Sequence, residues 1–133
     1  MKSLPQSDET LLIRTDFSDH EGWEALRTAV TTPNEDDFLA NLHLVDDPAY
    51  RDVSAEQLAV LLAPHSLLIV ADKLAITSPE QPLLGIYRSE EGTEQLRVIA
   101  EELWSIENNI SLANMDWDEF AGAADDDGIF RGF

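Results

Sequence analysis

The chain has 133 residues, of which 27 are Asp or Glu and only 8 are Lys or Arg, so its formal net charge is −19. The acids are spread over both halves and 44% of the residues are hydrophobic, which excludes a disordered acidic tail. No two basic residues are adjacent, so we expect no direct binding to nucleic acid or to anionic membranes, both of which need clustered Lys and Arg.

The first apolar run, residues 11–17, predicts a mostly buried strand. Ser18 followed by Glu21 predicts a capping box at the start of a helix. Three apolar residues then recur on one face of that helix: Trp23, Leu26 and Val30. Residues 40–45 alternate between apolar and polar side chains and predict a second strand.

Ser54 and Gln57 predict a capping box for a second helix, which Pro64 is expected to end. The continuous apolar run 66–71 predicts a central strand covered on both faces. Residues 72–81 are expected to form a connection. Residues 83–88 and 95–99 then predict an antiparallel hairpin.

A third helix is predicted from three apolar residues on one face: Leu103, Ile106 and Ile110. Asp116 and Glu119 predict the start of a fourth helix, which Gly128 is expected to end. The apolar tail 129–133 is expected to dock on the body of the protein.

The predicted element order is β-α-β-α-β-β-β-α-α. We therefore expect one α/β domain over residues 1–133, with a mixed sheet of about five strands covered by helices. Residues 1–10 precede the first element and are expected to be flexible.

Three stretches of the chain are distinctive: residues 102–116, which contain Trp-Ser-Ile-Glu-Asn-Asn, residues 127–133 and residues 11–17. Together they make the chain resemble a family of short bacterial proteins known only as a domain of unknown function. The resemblance extends over nearly the whole chain. It implies a single-domain, bacterial, cytoplasmic protein, and it implies no catalytic residues.

Cellular location is also constrained by what the chain contains. There is no Cys, so disulfides and thiolate metal sites are excluded. No apolar run is long enough for a secretory signal or a membrane span. We expect a cytoplasmic protein without a membrane association.

Four aspartates follow three of the predicted strands: Asp16, Asp46, Asp47 and Asp72. If these strands are parallel, the acids converge at one edge of the sheet. A carboxylate cluster there suits Mg²⁺ or Ca²⁺, and would make the protein a divalent-metal-dependent enzyme or module. The alternative is that each acid caps a turn or a helix, and in that case we expect no cofactor.

Two tryptophans, Trp104 and Trp117, flank three uncharged amides: Asn108, Asn109 and Asn114. Aromatic and amide groups together are typical of a protein-binding surface. The structural alternative is that Asn109 takes a left-handed conformation at a helix end while its neighbours bond to backbone carbonyls.

A run of three acids precedes Gly128: Asp125, Asp126 and Asp127. The spacing does not fit an EF-hand loop, because Ala123 occupies the first ligand position. Three acids at a helix end oppose the helix dipole. We therefore expect either a solvated helix end or a contact with an Arg or Lys of a partner.

The sequence contains no catalytic motif, which favours binding over catalysis. The first hypothesis is an acidic module that docks on a basic protein partner, as an inhibitor, an immunity protein or a nucleic-acid mimic. The second is the metal-dependent module described above. The third is a structural subunit that assembles with itself, and the sequence leaves the oligomeric state open.

Overall fold

The protein is described here by a computed structural model over residues 3–63 and 65–133. Its elements are β1 (Thr10–Arg14), α1 (His20–Thr31), β2 (Leu42–Val45), α2 (Ala55–Leu61), β3 (Leu67–Ala71), α3 (Lys73–Thr77), β4 (Pro82–Ser89), β5 (Gly92–Ile99), α4 (Leu103–Ser111), α5 (Trp117–Gly122) and β6 (Ile129–Phe130). Short 3-10 turns occur at Pro48–Tyr50 and Ala100–Glu102. Within the described ranges, no helix has the length and apolar character needed to cross a membrane.

The strands form one mixed sheet in the order β2-β1-β3-β4-β5-β6. β1 runs parallel to β2 and β3, while β4 is antiparallel to both of its neighbours, β3 and β5. The expected α/β fold and the expected hairpin are confirmed. The C-terminal tail adds β6, parallel to β5, which brings the number of strands to six.

Both faces of the sheet are covered, as the continuous apolar run of β3 predicts. Leu12 lies in the larger apolar cluster, together with residues of α1, α3, α4 and α5. Its neighbours Leu11 and Ile13 lie in a second cluster with residues of α2. Alternate residues of one strand thus serve opposite cores, because successive side chains of a strand point to opposite faces.

Three local predictions are wrong. Helix α1 is capped by Asp19, whose carboxylate accepts from the Gly22 N–H, and not by Ser18. The hydroxyl of Ser18 instead donates to the carboxylate of Asp16. The connection 72–81 contains a helix, α3, because Asp72 caps it through the Ala75 N–H.

The third error concerns the last helix, which ends at Gly122 and not at Gly128. The capping box at Asp116 and Glu119 is present as predicted. Gly128 lies in the turn that leads into β6, with a φ of 81°. A positive φ favours glycine in such a turn, so the residue marks a turn and not a helix end.

Residues 3–9 have no regular secondary structure, and the predicted flexibility of residues 1–10 remains a prediction. Leu4 is nevertheless buried in the second apolar cluster. The backbone carbonyl of Ser3 accepts a hydrogen bond from the Tyr50 hydroxyl. The predicted end of α2 at Pro64 lies outside the described residues.

Gly22 lies where α1 packs against α3, and we expect Gly22→Ala to destabilise the fold. A Cβ atom there would lie 2.5 Å from the backbone oxygen of Ile76, so the two helices would have to separate. Overpacking of this kind costs about 1–3 kcal/mol. Urea denaturation measures the loss. The control is Gly122→Ala, where a Cβ meets nothing within 4 Å, and there we expect no loss of stability.

Candidate functional site

The strand-end aspartates lie at the carboxyl ends of three parallel strands, β1, β2 and β3. Two of these aspartates form ion pairs with arginines. Arg14 is 4% exposed and donates to Asp46 at 3.1 Å. Arg97 donates to both oxygens of Asp72, at 2.8 and 2.7 Å. These carboxylates are therefore neutralised within the chain.

The remaining two strand-end aspartates have local roles. Asp16 accepts from Ser18, and Asp47 caps the turn Pro48–Tyr50 through the Ala49 N–H. Over residues 3–63 and 65–133, no three Asp, Glu or His side chains are grouped so that they could hold a metal ion. The geometry therefore favours the capping alternative at this edge of the sheet.

The distinctive Trp-Ser-Ile-Glu-Asn-Asn segment forms α4, and its glutamate is buried. Glu107 is 2% exposed and accepts from the Asn41 N–H at 2.6 Å and from the Thr10 hydroxyl at 2.9 Å. It also accepts from Ser111 and, at 3.3 Å, from the amide of Asn108. The carboxylate thus ties α4 to the residues that begin β1 and precede β2.

Two of the three asparagines bond to backbone carbonyls through their side chains, and the third bonds through its backbone. Asn108 donates to the Leu39 carbonyl at 3.0 Å, and Asn109 donates to the Ser105 carbonyl at 2.8 Å. The Asn114 N–H donates to the Asn109 carbonyl. Asn109 lies inside α4, and the left-handed conformation expected for it is found at Ala113 instead, with a φ of 56°.

The two tryptophans that flank the asparagines do not share a surface. Trp117 is 3% exposed and stacks on Tyr87 inside the larger core. Trp104 is half-buried and stacks on Phe38, with ring centroids 4.7 Å apart and ring planes 9° apart. Phe38 is 47% exposed, so the Phe38–Trp104 pair is an aromatic surface open to solvent.

The acids near the C-terminus surround an arginine of the same chain. Arg131 donates to Asp125 at 2.7 Å, to Asp127 at 3.1 and 2.7 Å, and to Glu80 at 2.7 and 3.0 Å. These bonds lower the pKa of Glu80 and of Asp127. Asp126 is exposed beside them.

An acidic cleft of about 1010 Å³ lies where the end of α1, residues 32–40, residues 79–81 and the turn before α4 meet. The Phe38–Trp104 pair forms part of its lining, together with five carboxylates: Glu35, Asp36, Glu80, Glu101 and Glu102. Among the described residues, the lining includes no Lys, Arg or His.

The carboxylates of the cleft are short of positive partners. Only Glu80 forms an ion pair within the described part of the chain, with Arg131. The pKa of Glu102 is raised, first by burial and then by the neighbouring charge of Glu101. Burial and crowding of like charge favour a positive ligand at this position.

Of the binding-site and metal-site residues that we predicted from the sequence, only Trp104 lines the cleft. Phe38 and the five carboxylates were missed. The available signal was the stretch Asn34–Leu39, which places an aromatic and an apolar residue directly after three acids. Large apolar residues in such an acidic loop are unusual unless they pack on another part of the protein.

The family model described as "Domain of unknown function (DUF6924)" matches residues 9–133. The chain therefore belongs to this family, as the resemblance implied. No curated protein matches the chain.

Proposed function

We propose that the protein is an acidic binding module that docks on a basic protein partner through the acidic cleft. The observation that carries the proposal is the lining of the cleft, which over residues 3–63 and 65–133 has five carboxylates and no basic residue. With a net charge of −19, the protein attracts basic partners over a distance and repels copies of itself.

Two features of the structure favour a binding function over a catalytic one. The cleft combines acids with the half-exposed Phe38–Trp104 pair, and an aromatic anchor with a charged rim is typical of protein-binding surfaces. The alternative metal-dependent role has no support from the strand-end aspartates, two of which are paired with arginines. We keep a bacterial cytoplasm as the proposed setting.

The test is binding of a synthetic peptide rich in Arg and Lys, measured by calorimetry at low and high salt. We expect Glu35→Gln/Glu101→Gln to weaken binding about three- to tenfold at low salt, because two exposed ion pairs are lost. High salt should weaken binding to the unchanged protein and reduce this difference.

A matched control separates the cleft from the overall charge. Glu90→Gln/Glu91→Gln removes the same two charges at the exposed turn between β4 and β5. If this variant loses as much affinity as the cleft variant, the binding depends on net charge alone and the proposed site is wrong. If the peptide does not bind at low salt, the proposed function is wrong.

A further inference from the structure

The outer face of Phe38 is the most accessible aromatic surface of the cleft. Trp104 covers one face of the Phe38 ring, and Phe38 is still 47% exposed. Because Trp104 stacks on one face, the part of the ring that solvent can reach is its other face and its edge. Two of the three acids that precede Phe38 in the loop, Glu35 and Asp36, also line the cleft.

The loop that carries Phe38 is held in place by hydrogen bonds to residues before and after Phe38 in the chain. The side chain of Asn34 accepts from the N–H groups of Asp36 and Phe38, each at 2.9 Å. Asn108 then holds the Leu39 carbonyl, and Glu107 holds the Asn41 N–H. A surface that is ordered before binding loses less conformational entropy when a ligand arrives.

An aromatic face among carboxylates favours a cation, and a planar cation in particular. A guanidinium stacks on an aromatic ring and pairs with a carboxylate through its edge, whereas an ammonium is a compact charge with a strong hydration shell. The same contact exists elsewhere in this protein, because the guanidinium of Arg14 lies 4.3 Å from the centroid of the Phe17 ring while pairing with Asp46.

We propose that the cleft binds an arginine-bearing segment of the basic partner, with one guanidinium stacked on the outer face of Phe38 and paired with the carboxylates of the cleft. This inference rests on the proposed function and specifies its ligand. The occupant is a segment and not free arginine, because a cleft of about 1010 Å³ is much larger than one side chain.

The test compares three peptides of equal length that differ only in a central Arg, Lys or citrulline. Trp104 reports binding by fluorescence, since the other two tryptophans, Trp23 and Trp117, are 1% and 3% exposed. We expect the Arg peptide to bind about threefold more tightly than the Lys peptide, and the citrulline peptide to bind least. Free L-arginine at the same concentration should bind more weakly than the Arg peptide.

The variant Phe38→Leu keeps an apolar side chain but removes the ring. We expect it to bind the Arg and Lys peptides equally, while Phe38→Tyr keeps the preference for Arg. Phe133→Leu is the control, because this phenylalanine is 75% exposed outside the cleft and its loss should leave the preference unchanged. Circular dichroism confirms that each variant is folded.

The outcomes separate this inference from the proposed function. If the Lys peptide binds as tightly as the Arg peptide to the unchanged protein, the arginine preference is wrong while the acidic binding module stands. If the preference persists in Phe38→Leu, or if free L-arginine binds as tightly as the Arg peptide, the stacked arginine segment is wrong. If none of the peptides binds, both proposals are wrong.

Discussion

Replacing Glu107 by Ala is expected to destabilise the protein by about 3 kcal/mol, because four part-buried hydrogen bonds to one buried carboxylate are lost at once. The carboxylate is 2% exposed and accepts from the backbone of Asn41 and from the side chains of Thr10, Ser111 and Asn108. The N–H of Asn41 has no second acceptor in the described part of the chain. The substitution also leaves a cavity between α4 and the sheet.

Urea denaturation measures this loss, and two variants calibrate it. Ser111→Ala removes one donor to Glu107 and should cost about 1 kcal/mol. Glu107→Gln keeps the shape but turns an NH₂ group toward two donors, so we expect an intermediate loss. If Glu107→Ala is no less stable than Ser111→Ala, the network does not hold α4 to the sheet.

Glu107 also decides the position of the loop before β2, so the same variant connects stability to the cleft. Without the carboxylate, the Asn41 N–H loses its acceptor, while the bond from the Thr10 N–H to the Asn41 carbonyl and the bond from Asn108 to the Leu39 carbonyl remain, so that end of the loop is held less firmly. A binding defect of Glu107→Ala toward the basic peptide, measured where the variant is still folded, would come from the displaced Phe38.

The elements that local patterns specify could be predicted from the sequence. The apolar run of β3 is buried at every position, and the capping boxes at Ser54 and Asp116 form as their spacing indicates. Each of these signals lies within a few residues of the element that it defines. Burial and capping can therefore be predicted from residues that are close together in the sequence.

The cleft could not be predicted because the contacts that build it are distant in sequence. Glu107 bonds to Asn41 across 66 residues, and Asn108 bonds to Leu39 across 69 residues. The segment around Trp104 was singled out, but the partner of its ring, Phe38, carries no periodic pattern of its own. A loop residue acquires its role only when tertiary contacts fix it.

For the aspartates at the carboxyl ends of the strands, the sequence predicted the position but not the ion-pair partners. Sequence reasoning placed them at one edge of the sheet, and the parallel pairing of β1, β2 and β3 does so. It could not show that Arg14 and Arg97 reach Asp46 and Asp72, since these arginines lie 32 and 25 residues away. Convergence of like charges is costly without positive partners, and the two arginines supply them.

The substitution Arg131→Gln is expected to loosen β6, which consists of only two residues at the edge of the sheet. Arg131 joins Glu80 to Asp125 and Asp127, so its loss leaves three carboxylates facing one another. We expect the amides of Ile129 and Phe130 to exchange with solvent several-fold faster, as measured by hydrogen exchange. Arg27→Gln, which removes an exposed pair within α1, should leave these amides unchanged.

The shifted pKa values determine how the stabilising effect of Arg131 changes with pH. Arg131 lowers the pKa of Glu80 and of Asp127, so these acids stabilise the fold above their ordinary pKa values, and this contribution is lost as the pH falls through the lowered values. Glu102 acts in the opposite direction, because burial raises its pKa and its charged form therefore disfavours the fold.

Wild type and Arg131→Gln share the Glu102 contribution, but only the wild type has the contribution of the Arg131 cluster. We therefore expect the difference in unfolding free energy between them to be largest near neutral pH and to shrink as the pH falls below about 4. Denaturation at a series of pH values measures it. A difference that stays constant down to acidic pH would mean that Arg131 holds β6 through the packing of its side chain and not through its ion pairs.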